Sequence, residues 1–314
     1  MNDERWEREA LREVAQEGIR ERRRARRWSI FFRLAFLIYL FLLLFAFRGL
    51  DLGLGSDRED VGPHAAVVKI NGVIMSDGTT RAETVIQGLR RAFEDGSTAG
   101  VILQINSPGG SPVQASQINN EIRRLKDEYP DTPVYAVGED MFTSGAYYLA
   151  VSADKIFVDR ATMIGSIGVL MNGFGFTDAM DKLGVQRRLY TAGDNKGLLD
   201  PFSEERDEDV AWIQGLLDDI HEQFIDAVRD GRGDKLSDDD KLFSGLIWTG
   251  EEGVRLGLAD EIGSVHDVAR NELDTENLRD FTPRPSFFER FAGRIGMSLA
   301  EGFSNILLRE QAPR

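Results

Sequence analysis

The sequence predicts an α/β protein of repeated β-α-β units, preceded by an N-terminal transmembrane helix and followed by C-terminal helices. Three observations predict this. One apolar run near the N-terminus is long enough to cross a membrane, short β-branched runs alternate with helical periodicity from His64 onward, and the C-terminal end is amphipathic. The 314 residues, 42% hydrophobic and 29% charged, suffice for one large domain or two small ones.

Composition excludes several classes of protein. The net charge of -15, from 38 basic and 53 acidic side chains, argues against a nucleic-acid partner, because phosphate contacts need clustered Lys and Arg. The absence of cysteine excludes disulfides, thiol catalysis and thiolate metal ligands. With only three histidines as well, a histidine-rich metal site is not expected. We also expect no cofactor.

The N-terminal region has the charge pattern of a membrane anchor. Residues 1–27 form a charged tail rich in arginine, and residues 28–48 an apolar segment of about the ~20 residues that cross a bilayer as a helix. The positive-inside rule keeps the tail in the cytoplasm and places the linker, residues 49–63, and everything after it outside. A cleaved signal peptide and a soluble helix are the alternatives.

Residues 64–280 alternate between predicted strands and helices. The predicted strands are Ala65–Ile70, Gly100–Ile105, Pro133–Val137, Lys155–Val158 and Val185–Thr191. The predicted helices are Arg81–Asp95, Val113–Tyr129, Ser144–Ala153, Thr177–Leu183 and Ser203–Arg232. This alternation predicts a parallel sheet with helices packed on it. Residues 281–314 are predicted to contain an amphipathic helix, which packs on its own chain or a neighbouring subunit, or lies on the membrane surface.

The first candidate site segment is Asn106-Ser107-Pro108-Gly109-Gly110-Ser111, between a predicted strand and a predicted helix. Adjacent glycines permit a sharp turn that aims backbone N–H groups at a ligand. Such donors can stabilise the oxyanion of an acyl-transfer reaction. An ordinary strand-to-helix turn is the alternative.

The second segment, Ser144-Gly145-Ala146-Tyr147-Tyr148, begins a predicted helix. A serine at this position gains from the helix dipole, and Gly145 offers a further N–H group to an oxyanion. The alternative is a serine that simply caps the helix.

The third segment is the loop from Gly193 to Phe202, which contains Lys196 in a chain of only seven lysines. A lysine kept neutral by burial can act as general base toward serine, whereas a solvated loop lysine is the alternative. No histidine lies in a glycine-rich loop, and His221 lacks the second histidine of a zinc protease because Ile225 occupies its place. The segment from Gly173 to Asp178 only half matches a dinucleotide-binding loop, and no phosphate-binding loop of the Walker type is present.

In this order, and after an anchor, the three segments resemble the short, single-repeat form of the signal peptide peptidase A family. The resemblance covers about residues 64–270 and includes Gly165-Ser166-Ile167-Gly168-Val169 and Pro201-Phe202. It implies a ClpP/crotonase-like fold and a bacterial serine protease. In the family pattern Ser144 is the nucleophile, Lys196 the general base and Ser166 the residue that orients the lysine, while Gly110 and Gly145 are the oxyanion donors. Asp194-Asn195 departs from the pattern, where an aromatic residue is common.

The resemblance also implies partners and a location. The substrates would be signal peptides left in the bilayer after release from preproteins, residues 28–48 would contact lipid, and copies of the chain would assemble into a ring. The catalytic domain would lie on the outer side of the bacterial inner membrane. Alternatives are a related protease acting on misfolded or specific membrane proteins, an acyl-CoA enzyme of the same fold, and a silent membrane-tethered scaffold.

Overall fold

The computed structural model describes residues 23–24, 26–43, 62–78 and 80–283. The chain divides into two compact units, one of residues 1–60 with 287–314 and the other of residues 61–286. The predicted C-terminal helix lies outside the described residues, as do most of the tail and the linker.

In the first unit the described residues form one helix, α1, over residues 23–24 and 26–43. The rings of Trp28, Phe31 and Phe32 contact one another at centroid distances of 5.6–5.8 Å. Within the described parts of the chain, no helix combines the length and the apolar composition that crossing a membrane requires. The end of the predicted span, residues 44–48, lies outside the described residues.

The second unit is built on an eight-stranded sheet. The strands are β1 His64–Asn71, β2 Thr98–Ser107, β3 Val134–Thr143, β4 Lys155–Val158, β5 Met163–Gly165, β6 Ile247–Thr249, β7 Glu261–Ile262 and β8 Leu278–Asp280. The main order is β6-β5-β3-β2-β1-β8, while β4 pairs with β3 and β7 pairs with β4. Every pair is parallel except β5–β6, so the predicted parallel α/β architecture is confirmed.

The helices of this unit are α2 Ala82–Glu94, α3 Pro112–Glu128, α4 Gly145–Ala150, α5 Thr177–Leu183, α6 Asp207–Arg232, α7 Gly250–Arg255 and α8 Val265–Asn271, with a short 3-10 helix at Gly233–Lys235. All five helices predicted for this unit are present. Local sequence explains the start of α3, where Ser111 accepts a capping hydrogen bond from the Gln114 N–H at 3.4 Å and proline occupies the first turn.

The sheet is buried on both faces, as a parallel sheet generally is. The larger core lies against α2, α3, α4 and α6 and includes Ile70, Leu89, Leu103, Ile118, Ile122 and Tyr147. The smaller core, on the other face, contains Val67, Ile102, Val137, Phe157 and Val268 of α8. Consecutive residues of β1 and β2 therefore point into different cores.

The strand predicted at Val185–Thr191 is wrong. These residues form no strand, and the side chains of Val185 and Tyr190 are 52% and 89% exposed. A β-branched, aromatic segment becomes a strand only when a neighbouring strand pairs with it, and within the described chain none does. β3, in contrast, continues beyond its predicted end at Val137, because Met141–Thr143 pair with β5.

Candidate active site

Ser144 lies between β3 and α4 in a left-handed backbone conformation, with φ +54° and ψ -129°. A non-glycine residue with positive φ is uncommon and costs about 1–3 kcal/mol, so its surroundings must hold it. Its N–H donates to the Gly165 carbonyl at 2.8 Å, and its own carbonyl accepts from the Tyr148 N–H at 2.9 Å. The half-buried side chain makes no capping hydrogen bond with α4. The hydroxyl is therefore not committed to capping the helix.

α4 is anchored in the core by Tyr147. The Tyr147 side chain is fully buried, its hydroxyl donates to the Leu258 carbonyl at 2.8 Å, and its ring packs edge-on against Phe142. Burial raises the pKa of the phenol, which stays neutral. Asn119 of α3 adds a hydrogen bond to the Tyr148 carbonyl at 2.9 Å. The short helix that follows Ser144 is thus held by contacts with two other parts of the chain.

The Gly109-Gly110 turn passes directly beside Ser144. A Cβ atom on Gly109, whose φ is +93°, would lie 2.7 Å from the Ser144 Cβ, and one on Gly110 would lie 2.1 Å from the Ile74 carbonyl oxygen. The Ile74 N–H donates to the Gly109 carbonyl at 2.9 Å, and the Ser111 N–H donates to the Ile74 carbonyl at 2.8 Å. Close backbone approach, and not only turn geometry, therefore requires glycine at both positions.

The backbone of Gly145 lies close to the nitrogen of Gly110. A Cβ atom built on Gly145 would lie 3.3 Å from the Gly110 nitrogen. Within the described chain neither N–H donates a hydrogen bond, whereas the Gly109 N–H donates to the buried Ser107 hydroxyl at 3.1 Å. Two free N–H groups beside a serine hydroxyl are the donors that an oxyanion requires.

Ser166 holds the equivalent position on the neighbouring strand. Thr143 pairs with Gly165 between the parallel strands β3 and β5, so Ser144 and Ser166 each follow a paired residue at the same edge of the sheet. Ser166 also has a positive φ, +53°, and its N–H donates to the Leu246 carbonyl at 2.7 Å. The sheet therefore places the two serines side by side.

Two side chains that the sequence did not assign to the site support the Ser166 turn. The indole of Trp248 packs against Gly165, so closely that a Cβ atom on Gly165 would lie 2.6 Å from the ring. The Nε2 atom of His221, on α6, lies 3.1 Å from the Ile167 carbonyl oxygen and donates to it when protonated. Both residues are far from Ser166 along the chain, so no local motif could reveal them.

Lys196 lies in an exposed turn between α5 and α6. Its N–H donates to the Gly193 carbonyl at 3.1 Å, and its side chain makes no hydrogen bond or ion pair with any described residue. α5 buries no side chain, and Leu183 at its end is 78% exposed. Contacts within the described single chain therefore leave the Lys196 amine outside hydrogen-bonding reach of Ser144.

The structure thus brings four of the five predicted site residues together: Ser144, Gly145, Gly110 and Ser166. Their arrangement presents a hydroxyl next to two backbone donors, which suits attack on a carbonyl group and stabilisation of the resulting oxyanion. Lys196, the fifth predicted site residue, forms no hydrogen bond with these four within the described single chain.

Residues 126–279 match the model of peptidase family S49. The matched range includes Ser144, Ser166 and Lys196, and it begins after Gly110.

Three relatives illustrate the similarity. A Brucella abortus protein named Na(+)/H(+) antiporter NhaA is 40% identical over 237 residues, which cover 74% of this chain and 32% of that protein. The Protease 4 of Haemophilus influenzae is 31% identical over 238 residues, 74% of this chain and 38% of that protein. An Enterococcus faecium protein named signal peptide peptidase SppA is 30% identical over 234 residues, 71% of this chain and 67% of that protein. The chain therefore spans about a third of the length of the first relative.

Proposed function

We propose that this chain is a membrane-anchored endopeptidase with a Ser144–Lys196 dyad. The chain belongs to peptidase family S49 and is a serine peptidase. Its substrates are signal peptides that remain in the bilayer after release from preproteins. The proposal depends chiefly on one observation. Ser144 is held in a left-handed turn, with its hydroxyl uncommitted to the helix and the free N–H groups of Gly110 and Gly145 beside it.

The proposed reaction uses these groups together with Lys196. Neutral Lys196 takes the proton of the Ser144 hydroxyl as its oxygen attacks the peptide carbonyl, and the N–H groups of Gly110 and Gly145 stabilise the oxyanion. Lys196 then protonates the leaving amine, which yields an acyl-enzyme on Ser144. A water molecule, deprotonated by Lys196, hydrolyses that ester and restores the serine. Ser166 orients the lysine amine through its hydroxyl.

A lysine acts as a base near neutral pH only when its surroundings disfavour the ammonium ion. Lys196 is exposed in the single chain, so the proposal requires a further burial step. Assembly of several copies into a ring supplies it by covering the segment on which Lys196 lies.

The exposed apolar side chains of that segment support assembly. Between residues 170 and 212 the most exposed of them are Leu170, Phe174, Leu183, Tyr190 and Trp212, each at least 72% exposed. Soluble proteins rarely leave so many large apolar side chains exposed together in one stretch, and such groups commonly mark protein contacts. Loss of assembly in Leu183→Ser, with no loss in Ile262→Ser on β7, would support this use of the segment. Equal association of both variants would count against it.

The anchor of the proposal is the segment 28–48, which holds the protein in the bacterial inner membrane with its catalytic unit outside. All residues from 26 to 42 are exposed although most are apolar, a pattern that suits a lipid environment.

Near the site, Val73 and Met75 flank Ile74 and are 50% and 42% exposed. Apolar groups beside the Gly109-Gly110 turn favour the apolar central part of a signal peptide as substrate.

Cleavage of a synthetic signal peptide by the full chain in detergent tests the proposal. We expect Ser144→Ala and Lys196→Ala each to lower kcat by several orders of magnitude. Ser97→Ala and Lys241→Ala, at exposed positions outside the segment 170–212, are the matched controls and should cleave normally. Near wild-type cleavage by Ser144→Ala or Lys196→Ala would refute the dyad. Equal cleavage of a polar peptide and the signal peptide would refute the substrate class and favour a protease of broader membrane-protein substrates.

A further inference from the structure

A cluster of side chains centred on Asp200 closes the turn that carries Lys196. The Asp200 Oδ2 atom accepts a hydrogen bond from the Ser203 hydroxyl at 2.6 Å and another from the Arg187 Nε at 3.3 Å. The Asp200 side chain is only 11% exposed, although much of its surroundings is open to solvent. Arg187 comes from the stretch after α5, so the carboxylate joins two separate parts of the segment.

Three overlapping backbone turns cover the chain from Gly193 to Asp200. The Lys196 N–H donates to Gly193, the Leu198 N–H to Asn195 and the Asp200 N–H to Gly197, all at 3.1 Å. Leu199, which lies between Leu198 and Asp200, has a φ of +61°. A leucine adopts this conformation only when its neighbours hold it. The three turns overlap along the chain, so Lys196 and Asp200 belong to one hydrogen-bonded segment.

Aromatic contacts attach the same turn to α5. The rings of Phe176 and Phe202 stack at 5.4 Å, and the Phe176 N–H donates to the Pro201 carbonyl at 2.7 Å. The Arg187 guanidinium lies 5.9 Å from the Phe202 ring centre, so the arginine contacts both the carboxylate and the aromatic pair. These contacts fix the end of the turn and leave the Lys196 side chain free.

Asp200 is ionised over the pH range in which a protease works. The hydrogen bond from Ser203, with the hydrogen bond and charge of Arg187, holds the pKa of this carboxyl below its ordinary value. Within the described chain Asp200 forms no ion pair with Lys196. Asp200 is therefore a candidate for holding the turn, and not for exchanging a proton with the lysine.

We infer that Asp200, clamped by Arg187 and Ser203, is a positioning residue that presents the Lys196 amine to Ser144 in the assembled enzyme. The inference rests on the proposed dyad. A lysine on a loosened turn reaches the serine in a smaller fraction of molecules, which lowers kcat while substrate binding at the Ser144 side is unchanged. Water around a lysine amine favours the ammonium form, so a base on a loosened turn is expected to work only at higher pH.

The test compares Asp200→Asn with Asp194→Asn, an exposed carboxylate in the same loop. In the full chain we expect Asp200→Asn to lower kcat at least tenfold, to leave KM within twofold and to move the acidic limb of the kcat profile to higher pH. Raising the pH should then restore part of the activity. A residue with a merely structural role would lower activity equally at every pH. A kcat and pH profile equal to those of Asp194→Asn would overturn the inference.

Two further variants keep the test decisive if Asp200→Asn fails to assemble. Arg187→Gln and Ser203→Ala each remove one bond of the clamp, and both should shift the pH profile in the same direction, with Arg187→Lys closer to wild type. Unshifted profiles in both variants would overturn the inference. Ser144→Ala and Lys196→Ala are measured in parallel. If they remain active the dyad itself fails, whereas if they are inactive only the role of Asp200 is in question.

Discussion

The N–H of Ser144 donates a 2.8 Å hydrogen bond to the carbonyl oxygen of Gly165, the residue before Ser166. This bond continues the β3–β5 pairing to the end of both strands, where both serines adopt a left-handed backbone with φ near +54°. Two strained residues held by one ladder support each other, because neither can relax without breaking the pairing. Perturbations on the Ser166 side are therefore expected to reach Ser144.

Replacement of Gly109 by alanine should displace the serine turn. The added Cβ would lie 2.6 Å from the Gly145 nitrogen and 2.7 Å from the Ser144 Cβ, so the backbone must shift. We expect kcat to fall about 100-fold, as small displacements of catalytic groups do. Gly72→Ala is the matched control, with φ +76° but no atom within 4 Å of its Cβ. The measurement is kcat for peptide cleavage by both folded variants. Equal kcat values would show that the close contacts of Gly109 do not matter for the reaction.

Loss of the His221 side chain should loosen the Ser166 turn. His221→Ala removes the 3.1 Å contact with the Ile167 carbonyl, and we expect kcat to drop about tenfold, equivalent to the ~1.4 kcal/mol of one ordinary hydrogen bond. His221→Gln retains an N–H donor on a side chain of similar reach and should recover part of the loss. If alanine and glutamine cleave the peptide as fast as histidine does, the contact has no effect on the reaction.

Tyr147→Phe tests how firmly α4 is anchored. The variant leaves the Leu258 carbonyl without the 2.8 Å hydrogen bond that it now accepts in the core. Because an unsatisfied buried polar group is costly, the free energy of unfolding should fall by about 1–3 kcal/mol. Denaturant unfolding of the full chain in detergent measures it. Tyr190→Phe, at an 89% exposed position, should be neutral, and an equal loss in both variants would disprove the anchoring role.

Acid stability should depend on Glu121, whose carboxylate accepts hydrogen bonds from Arg124 and Arg90. These partners lower its pKa from 4.5 to about 2. A lowered carboxyl pKa stabilises the fold fully above pH 4.5, and this contribution is lost as the pH falls toward 2. Its size is about 1.5 kcal/mol, the low end for charged hydrogen bonds, because both arginines are half exposed.

The measurement is the free energy of unfolding of wild type and Glu121→Gln between pH 5 and pH 2. The difference between the two proteins should shrink across that range. Glu83→Gln, at a side chain that is 86% exposed, is the control and should show no such trend. A constant difference would mean that Glu121 contributes through packing alone.

Local pattern was sufficient for the five predicted helices and for the strands that lie inside the sheet, whereas the short helices α7 and α8 were not predicted. In α2, Val85, Leu89 and Phe93 recur at helical spacing, and the structure buries all three. The same periodicity wrongly predicted a strand at Val185–Thr191. Strand-forming residues need a neighbouring strand to pair with, and local sequence does not reveal whether one is present. The roles of Ser144, Lys196, Ser166, Gly110 and Gly145 stay predictions, although four of the five lie together.

The sequence by itself determined the α/β class, the glycine-rich segments and the acidic, cysteine-free character, because composition and short-range periodicity are properties of neighbouring residues. The tertiary structure alone decided that Ile74 braces the Gly109-Gly110 turn, that His221 reaches Ile167, and that Lys196 lies apart from Ser144 in the single chain. These relationships join residues far apart along the chain. Strand pairing and close backbone approach create them, and both depend on how the whole chain packs.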